Sequence, residues 1–159
     1  MNTNRQKSFL ATLSVGNSPV RLTTRYPKEA IVLAKTYTGL ADTFYFRCTD
    51  DYYTLYIRTE GEHFGKVIDQ QGNAFTGSSN QSHVNFNIIG TNGKILTLED
   101  FSSDDQVIQL QTTQGNILRS EFGWADFPVR LELEGQLALY LNLNILQRNV
   151  PYLSNPDEV

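Results

Sequence analysis

The chain has 159 residues, of which 40% are hydrophobic and 19% are charged, and its formal net charge is -4. This balance predicts one folded domain over residues 1–159 and excludes a disordered chain. The 13 Lys and Arg residues are scattered singly rather than in a stripe, so we expect no nucleic-acid partner.

Alternating apolar and polar residues predict an all-β chain of strand–turn–strand units. The clearest unit is 84–98, in which Val84, Phe86 and Ile88 alternate with asparagines before a Gly-rich turn. No ten-residue stretch has helical periodicity, so we expect little helix. In chain order the predicted strands are 9–15, 20–24, 30–33, 44–48, 53–58, 66–69, 73–76, 84–88, 95–98, 107–111, 117–119, 129–133 and 137–143, most of them joined as hairpins.

The parity of these strands predicts which side chains form the core. The single cysteine, Cys48, falls in step with Phe44 and Phe46 and is therefore expected to be a buried thiol. One cysteine excludes an internal disulfide and a cysteine-based metal site. The side chains expected to be buried are Phe44, Phe46, Phe86, Ile88, Leu131, Leu133, Leu139 and Leu141.

The first residues, MNTNRQKSFLATLSVG, lack the apolar segment of a secretory signal peptide. No apolar run approaches the length of a membrane-spanning helix. We therefore expect a chain without a membrane span, either cytoplasmic or exported without a cleaved signal.

Motifs for catalysis and metal binding are missing from the sequence. His63 and His83 stand far apart without carboxylates at ligand spacing, and no nucleophile elbow or phosphate-binding loop occurs. The acidic pairs at 50–51 and 104–105 lie in predicted turns, where aspartate is favoured for backbone reasons. We expect a protein that is not an enzyme, with no catalytic residue, metal or cofactor.

The segment Ser120–Phe127, with the sequence SEFGWADF, concentrates aromatic residues and carboxylates without strand periodicity. An indole beside carboxylates suits stacking on a sugar ring or anchoring in a protein pocket. The same composition suits a loop that caps the core. We hypothesise recognition, with Trp124 and Asp126 as ligand-binding residues, and expect Trp124→Ala to abolish binding without changing the melting temperature.

One stretch resembles a repeat of the ricin-type β-trefoils. A strand ending in 98–100 (LED) leads through a polar loop to a strand carrying 108–110 (IQL), although Gln111 stands where that family's Gln-x-Trp motif has tryptophan. The resemblance implies a β-trefoil of about twelve strands and a sugar site in which Asp100 and Gln109 bind the ligand. A two-sheet β-sandwich or jelly roll is the alternative, because it requires strands of the same spacing.

Three functions follow as hypotheses from these observations. The first is a carbohydrate-binding, lectin-like module, and the second is a protein-recognition domain such as a toxin or assembly subunit or an inhibitor. The third, an enzyme with a catalytic pair assembled from loops, has no motif to support it. The expected partner is thus a carbohydrate or a protein, and the sequence leaves the oligomeric state open.

Overall fold

The computed structural model describes residues 4–25, 30–37, 39–79, 82–121 and 128–150. Within these ranges the chain is all-β, as predicted, with two short 3₁₀ turns at Arg5–Lys7 and Leu98–Asp100. No helix in these ranges has the length and apolar character needed to cross a membrane. The strands are β1 (Phe9–Val15), β2 (Ser18–Arg25), β3 (Ala30–Lys35), β4 (Phe44–Thr49), β5 (Tyr52–Ile57), β6 (Val67–Gln71), β7 (Ala74–Ser78), β8 (Phe86–Ile89), β9 (Ile95–Leu96), β10 (Asp105–Thr112), β11 (Arg119–Ser120), β12 (Val129–Arg130), β13 (Leu137–Ala138) and β14 (Leu141–Arg148).

Six of these strands close into a barrel. Around the ring, β1 pairs with β14, β14 with β10, β10 with β8, β8 with β5, β5 with β4, and β4 with β1, always antiparallel. At the seam, Phe9 lies opposite Arg148 on one side and Phe46 on the other. Each barrel strand therefore has two neighbours, unlike the edge strands of the sandwich that the sequence also allowed.

The connections between barrel strands carry most of the remaining strands. In chain order, the pair β2–β3 comes between β1 and β4, and the pair β6–β7 comes between β5 and β8. Strands β11, β12 and β13 come between β10 and β14. These three excursions contact one another, because β12 pairs with β3, β3 packs against β7, and Ala74 of β7 bridges to Glu132. They form one connected group beside the barrel.

The predicted hairpins are largely confirmed, and the turn between β4 and β5 shows why. Asp50 and Asp51 adopt φ angles of 50° and 72°, a left-handed geometry that aspartate tolerates and that two-residue hairpin turns require. The turn interpretation of this acidic pair is therefore confirmed.

The hairpin predicted from 129–133 and 137–143 is wrong. Strand β12 pairs with β3, β13 pairs with β11, and β14 joins the barrel. The backbone N–H groups between them bond to distant carbonyls: Leu131 donates to Leu33, Glu132 to Arg119 and Leu133 to Asn73. Because each residue has one backbone donor, these non-local partners leave no ladder for a local hairpin.

The core follows the predicted parity. All the side chains expected to be buried are buried except Leu133, which is half-buried and packs against the core. Cys48 is a buried free thiol, as expected, and burial raises its pKa. A raised pKa keeps the thiol protonated and unreactive, which fits a structural role.

An aromatic cluster fills the barrel beside the β1–β4 seam. The rings of Phe9 and Phe46 stack with centroids 4.6 Å apart, and Tyr53 meets both edge-on. The Tyr53 hydroxyl donates to the Lys7 carbonyl at 2.8 Å and accepts from the Leu98 N–H at 3.0 Å. Burial raises the pKa of Tyr53. One buried hydroxyl thus holds both 3₁₀ turns against the barrel.

Candidate functional site

The two residues implied by the ricin-type resemblance lie in different elements. Asp100 ends the second 3₁₀ turn, where its Oδ2 accepts a hydrogen bond from the Thr97 N–H at 2.9 Å. Gln109 is half-buried in β10, opposite Ile89. The capping bond gives Asp100 a structural role, and sugar binding by these two residues stays a prediction.

Most of the predicted recognition loop lies outside the described part of the chain, although its first residue, Ser120, is buried in β11 and Glu121 is exposed. Residues 122–127, which include Trp124 and Asp126, are not among the described residues. Their proposed contact with a ligand therefore stays a prediction as well.

A polar cleft of about 360 Å³ lies between β2 and the segments that precede β4 and follow β5. We call it the Arg21 cleft. It is lined by residues 21–24 of β2, by Asp42, and by Thr59, Glu60, Glu62 and His63.

Asp42 forms the fixed base of the Arg21 cleft. Its Oδ2 accepts from the Leu22 N–H at 2.7 Å, and its Oδ1 accepts from the Thr59 hydroxyl at 2.7 Å. The Thr59 oxygen in turn accepts from the Thr43 N–H at 2.8 Å. Because both oxygens of this buried carboxylate are used, Asp42 connects the walls rather than offering itself to a ligand.

Arg21 lines the cleft and has one unused donor. Its Nε is buried and has no hydrogen-bond partner in the described part of the chain. The guanidinium lies against Gly39, where a Cβ atom would be only 2.5 Å from Nη1. A buried donor without an acceptor costs about 1–3 kcal/mol.

The opposite wall of the cleft offers acceptors and one imidazole. Glu60 and Glu62 are exposed, and His63 is half-buried with its Nδ1 3.1 Å from the Lys66 ammonium. An ammonium can only donate, so this contact makes Nδ1 the acceptor and leaves Nε2–H as a donor. Phe64, the next residue, exposes 52% of its surface.

Taken together, the cleft has a donor-only guanidinium, acceptor-only carboxylates and threonine hydroxyls that do both. A ligand hydroxyl can accept from Arg21 and donate to a glutamate at the same time. An anionic ligand would meet two carboxylates and be repelled. The arrangement therefore suits a neutral ligand rich in hydroxyl groups.

The sequence contained no pattern that pointed to this cleft. Arg21, Asp42 and Glu62 come from three separate segments and match no motif. Within the described ranges, no three His, Cys, Asp or Glu residues are placed to hold a metal ion.

The chain matches no protein-family model, no curated protein and no solved structure. The structure itself defines the chain as all-β, with a closed six-strand barrel and a polar cleft of about 360 Å³.

Proposed function

We propose that this chain is a non-enzymatic carbohydrate-binding module, lectin-like in its chemistry. The observation that carries the proposal is the Arg21 cleft, in which Arg21, whose buried Nε has no hydrogen-bond partner in the described part of the chain, lines a site that also holds two exposed carboxylates. Sugar hydroxyls can satisfy both kinds of group at once. Phe64 does not line the cleft, but it follows the lining residue His63, is half-exposed, and has an apolar face of the kind that stacks on sugar rings.

We further propose that the barrel and its excursions form a β-trefoil. In that fold, three four-strand units each give two strands to a barrel and two to a hairpin. The order of the strands supports the proposal, with β1–β4 as the first unit and β5–β8 as the second. The third would consist of β10, β11, β12 and β14, leaving β9 and β13 as short additions.

Protein recognition is the second candidate, and one observation favours it. Leu40 exposes 85% of its surface, two residues before Asp42, and Tyr37 in the same segment exposes 41%. Exposed apolar side chains beside a polar site are typical of protein-anchoring surfaces.

The test is a glycan array probed with the whole chain, followed by calorimetry on the strongest neutral glycan. Glu62→Gln and Phe64→Ala should each weaken binding by about 5- to 30-fold, which corresponds to about 1–2 kcal/mol. The matched controls are Glu134→Gln and Tyr140→Ala, which change an exposed glutamate and an exposed tyrosine that neither line the cleft nor adjoin a lining residue in the chain. All four variants should keep the melting temperature of the wild type.

Other outcomes assign the function differently. An array without any bound glycan argues against carbohydrate binding, and a protein partner lost on Leu40→Ser would then favour recognition of protein. If Trp124→Ala alone abolishes glycan binding while Glu62→Gln does not, the sugar site lies at segment 120–127 instead of the Arg21 cleft.

A further inference from the structure

A second polar depression, of about 380 Å³, crosses the outer face of the barrel strands β1, β14 and β10. Alternate residues of these strands, such as Leu13, Leu143 and Ile108, are buried in the core. The side chains between them point outward, and we call the depression that they form the Asn144 groove. The outward-facing side chains that line it include Thr12, Ser14, Asp105, Val107, Asn142 and Asn144.

The strand register arranges these groups in two rows. Asn144 pairs with Thr12 on one side and with Asp105 on the other, while Asn142 pairs with Ser14 and Val107. Directly opposed side chains in antiparallel strands are about 5 Å apart, so each row spans roughly 10 Å.

Most polar groups in the first row are free to bind a ligand. The side chains of Thr12, Asp105 and Asn144 form no hydrogen bond to any other residue in the described ranges. In the second row, Asn142 is held by a bond from its Nδ2 to the Gly16 carbonyl at 3.3 Å.

Both ends of the groove are fixed by internal bonds. Beside Asp105, Arg148 donates to the carbonyls of Phe101 and Ser103 at 3.0 and 3.1 Å and pairs with Asp104 at 3.0 Å. At the other end, the Asn142 bond fixes the turn at Gly16. A site built on fixed strands loses little conformational entropy when it binds, which favours even a shallow site.

We propose that the Asn144 groove is a second carbohydrate site that binds a neutral oligosaccharide, an inference that rests on the proposed function for its ligand class. The Asn144 amide both donates to and accepts from sugar hydroxyls, and Asp105 accepts from them. Val107, which is 47% exposed, offers methyl groups to the apolar face of a ring. The groove has one carboxylate and no cation in its lining, so it favours neutral over anionic saccharides. It shares no lining residue with the Arg21 cleft.

The experiment is an NMR titration of the isotope-labelled whole chain with maltotriose, cellotriose and triacetylchitotriose as probes. At least one probe should shift the amide signals of Thr12, Asp105 and Asn144. Asn144→Ala should weaken this binding by about tenfold or more and leave shifts around Arg21 intact. Gln147→Ala, which changes an exposed residue of the same strand outside the groove, is the control and should bind as the wild type does.

The outcomes separate the two proposals. Shifts around Arg21 without shifts at the groove overturn the second site and leave the proposed function standing. Shifts at the groove that persist unchanged in Asn144→Ala also overturn it. No shifts anywhere, together with an empty glycan array, overturn both proposals.

Discussion

Arg21 differs from the other residues that carry an unpartnered buried polar atom. In the described ranges these atoms belong to Arg21, Arg58, Thr97 and Ser120. The guanidinium of Arg58 lies 4.8 Å from the centroid of the Tyr45 ring, where a cation–π contact compensates it. Arg21 is the one residue of these four that lines the cleft.

Phe86 is the single residue at which the predicted register is best tested. Its ring is fully buried in β8, 5.7 Å from the ring of Phe75. We predict that Phe86→Ala lowers the free energy of unfolding by about 3–5 kcal/mol, because truncation leaves a cavity. Denaturant unfolding measures the loss, and Ile95→Ala, at a position 57% exposed, should change it by less than about 1 kcal/mol. A loss that small for Phe86→Ala would contradict the register.

At the level of elements, Gly135 lies where the last predicted hairpin would turn, and in the structure it packs against β11. A Cβ atom at this position would lie 2.9 Å from the carbonyl carbon and oxygen of Ser120. Glycine therefore serves here for close packing against β11 rather than for a local turn.

We predict that Gly135→Ala lowers the free energy of unfolding by about 1–3 kcal/mol, since a rigid backbone cannot move away from the added methyl group. Gly90→Ala is the matched control, because its nearest neighbour is the terminal Cδ1 of Leu96 at 2.7 Å. That side chain can rotate, so the control should lose less. Thermal unfolding of both variants makes the comparison, and equal losses would argue against the packing role of Gly135.

Local elements were predictable from the sequence where the partner strand is close in the chain. The units containing Asp50–Asp51 and Phe86 have alternating residues and turn residues that favour the observed hairpins. Strands were also predicted where β12 and β13 lie, but their pairing was not, because their partners β3 and β11 lie in other parts of the sequence. The Arg21 cleft could not be predicted for the same reason, because its walls come from segments that are far apart in sequence and meet only in the folded chain.

At the scale of the whole molecule, a polar junction at Asn73 joins the three excursions in addition to their strand contacts. Asn73 donates from Nδ2 to the Glu132 carboxylate at 2.8 Å and to the Glu134 carbonyl at 3.1 Å, and its Oδ1 accepts from the Glu134 N–H at 2.7 Å. Glu132 is only 3% exposed and pairs with Arg130 at 2.8 Å. Because Arg130 lies opposite Ala34 of β3, this network connects the β6–β7 turn to both other excursions.

We predict that Asn73→Ala lowers the free energy of unfolding by about 2–4 kcal/mol, because it removes three hydrogen bonds, one of them to a buried carboxylate. Asn73→Asp should be at least as harmful, since it places a second negative charge beside Glu132. Gln71→Ala, at an exposed position of the same hairpin, is the control and should stay within about 0.5 kcal/mol of the wild type. If the excursions form one cooperative unit, hydrogen exchange in Asn73→Ala should accelerate together in β3, β7 and β12. Acceleration confined to the turn at residue 73 would show instead that the three excursions open independently.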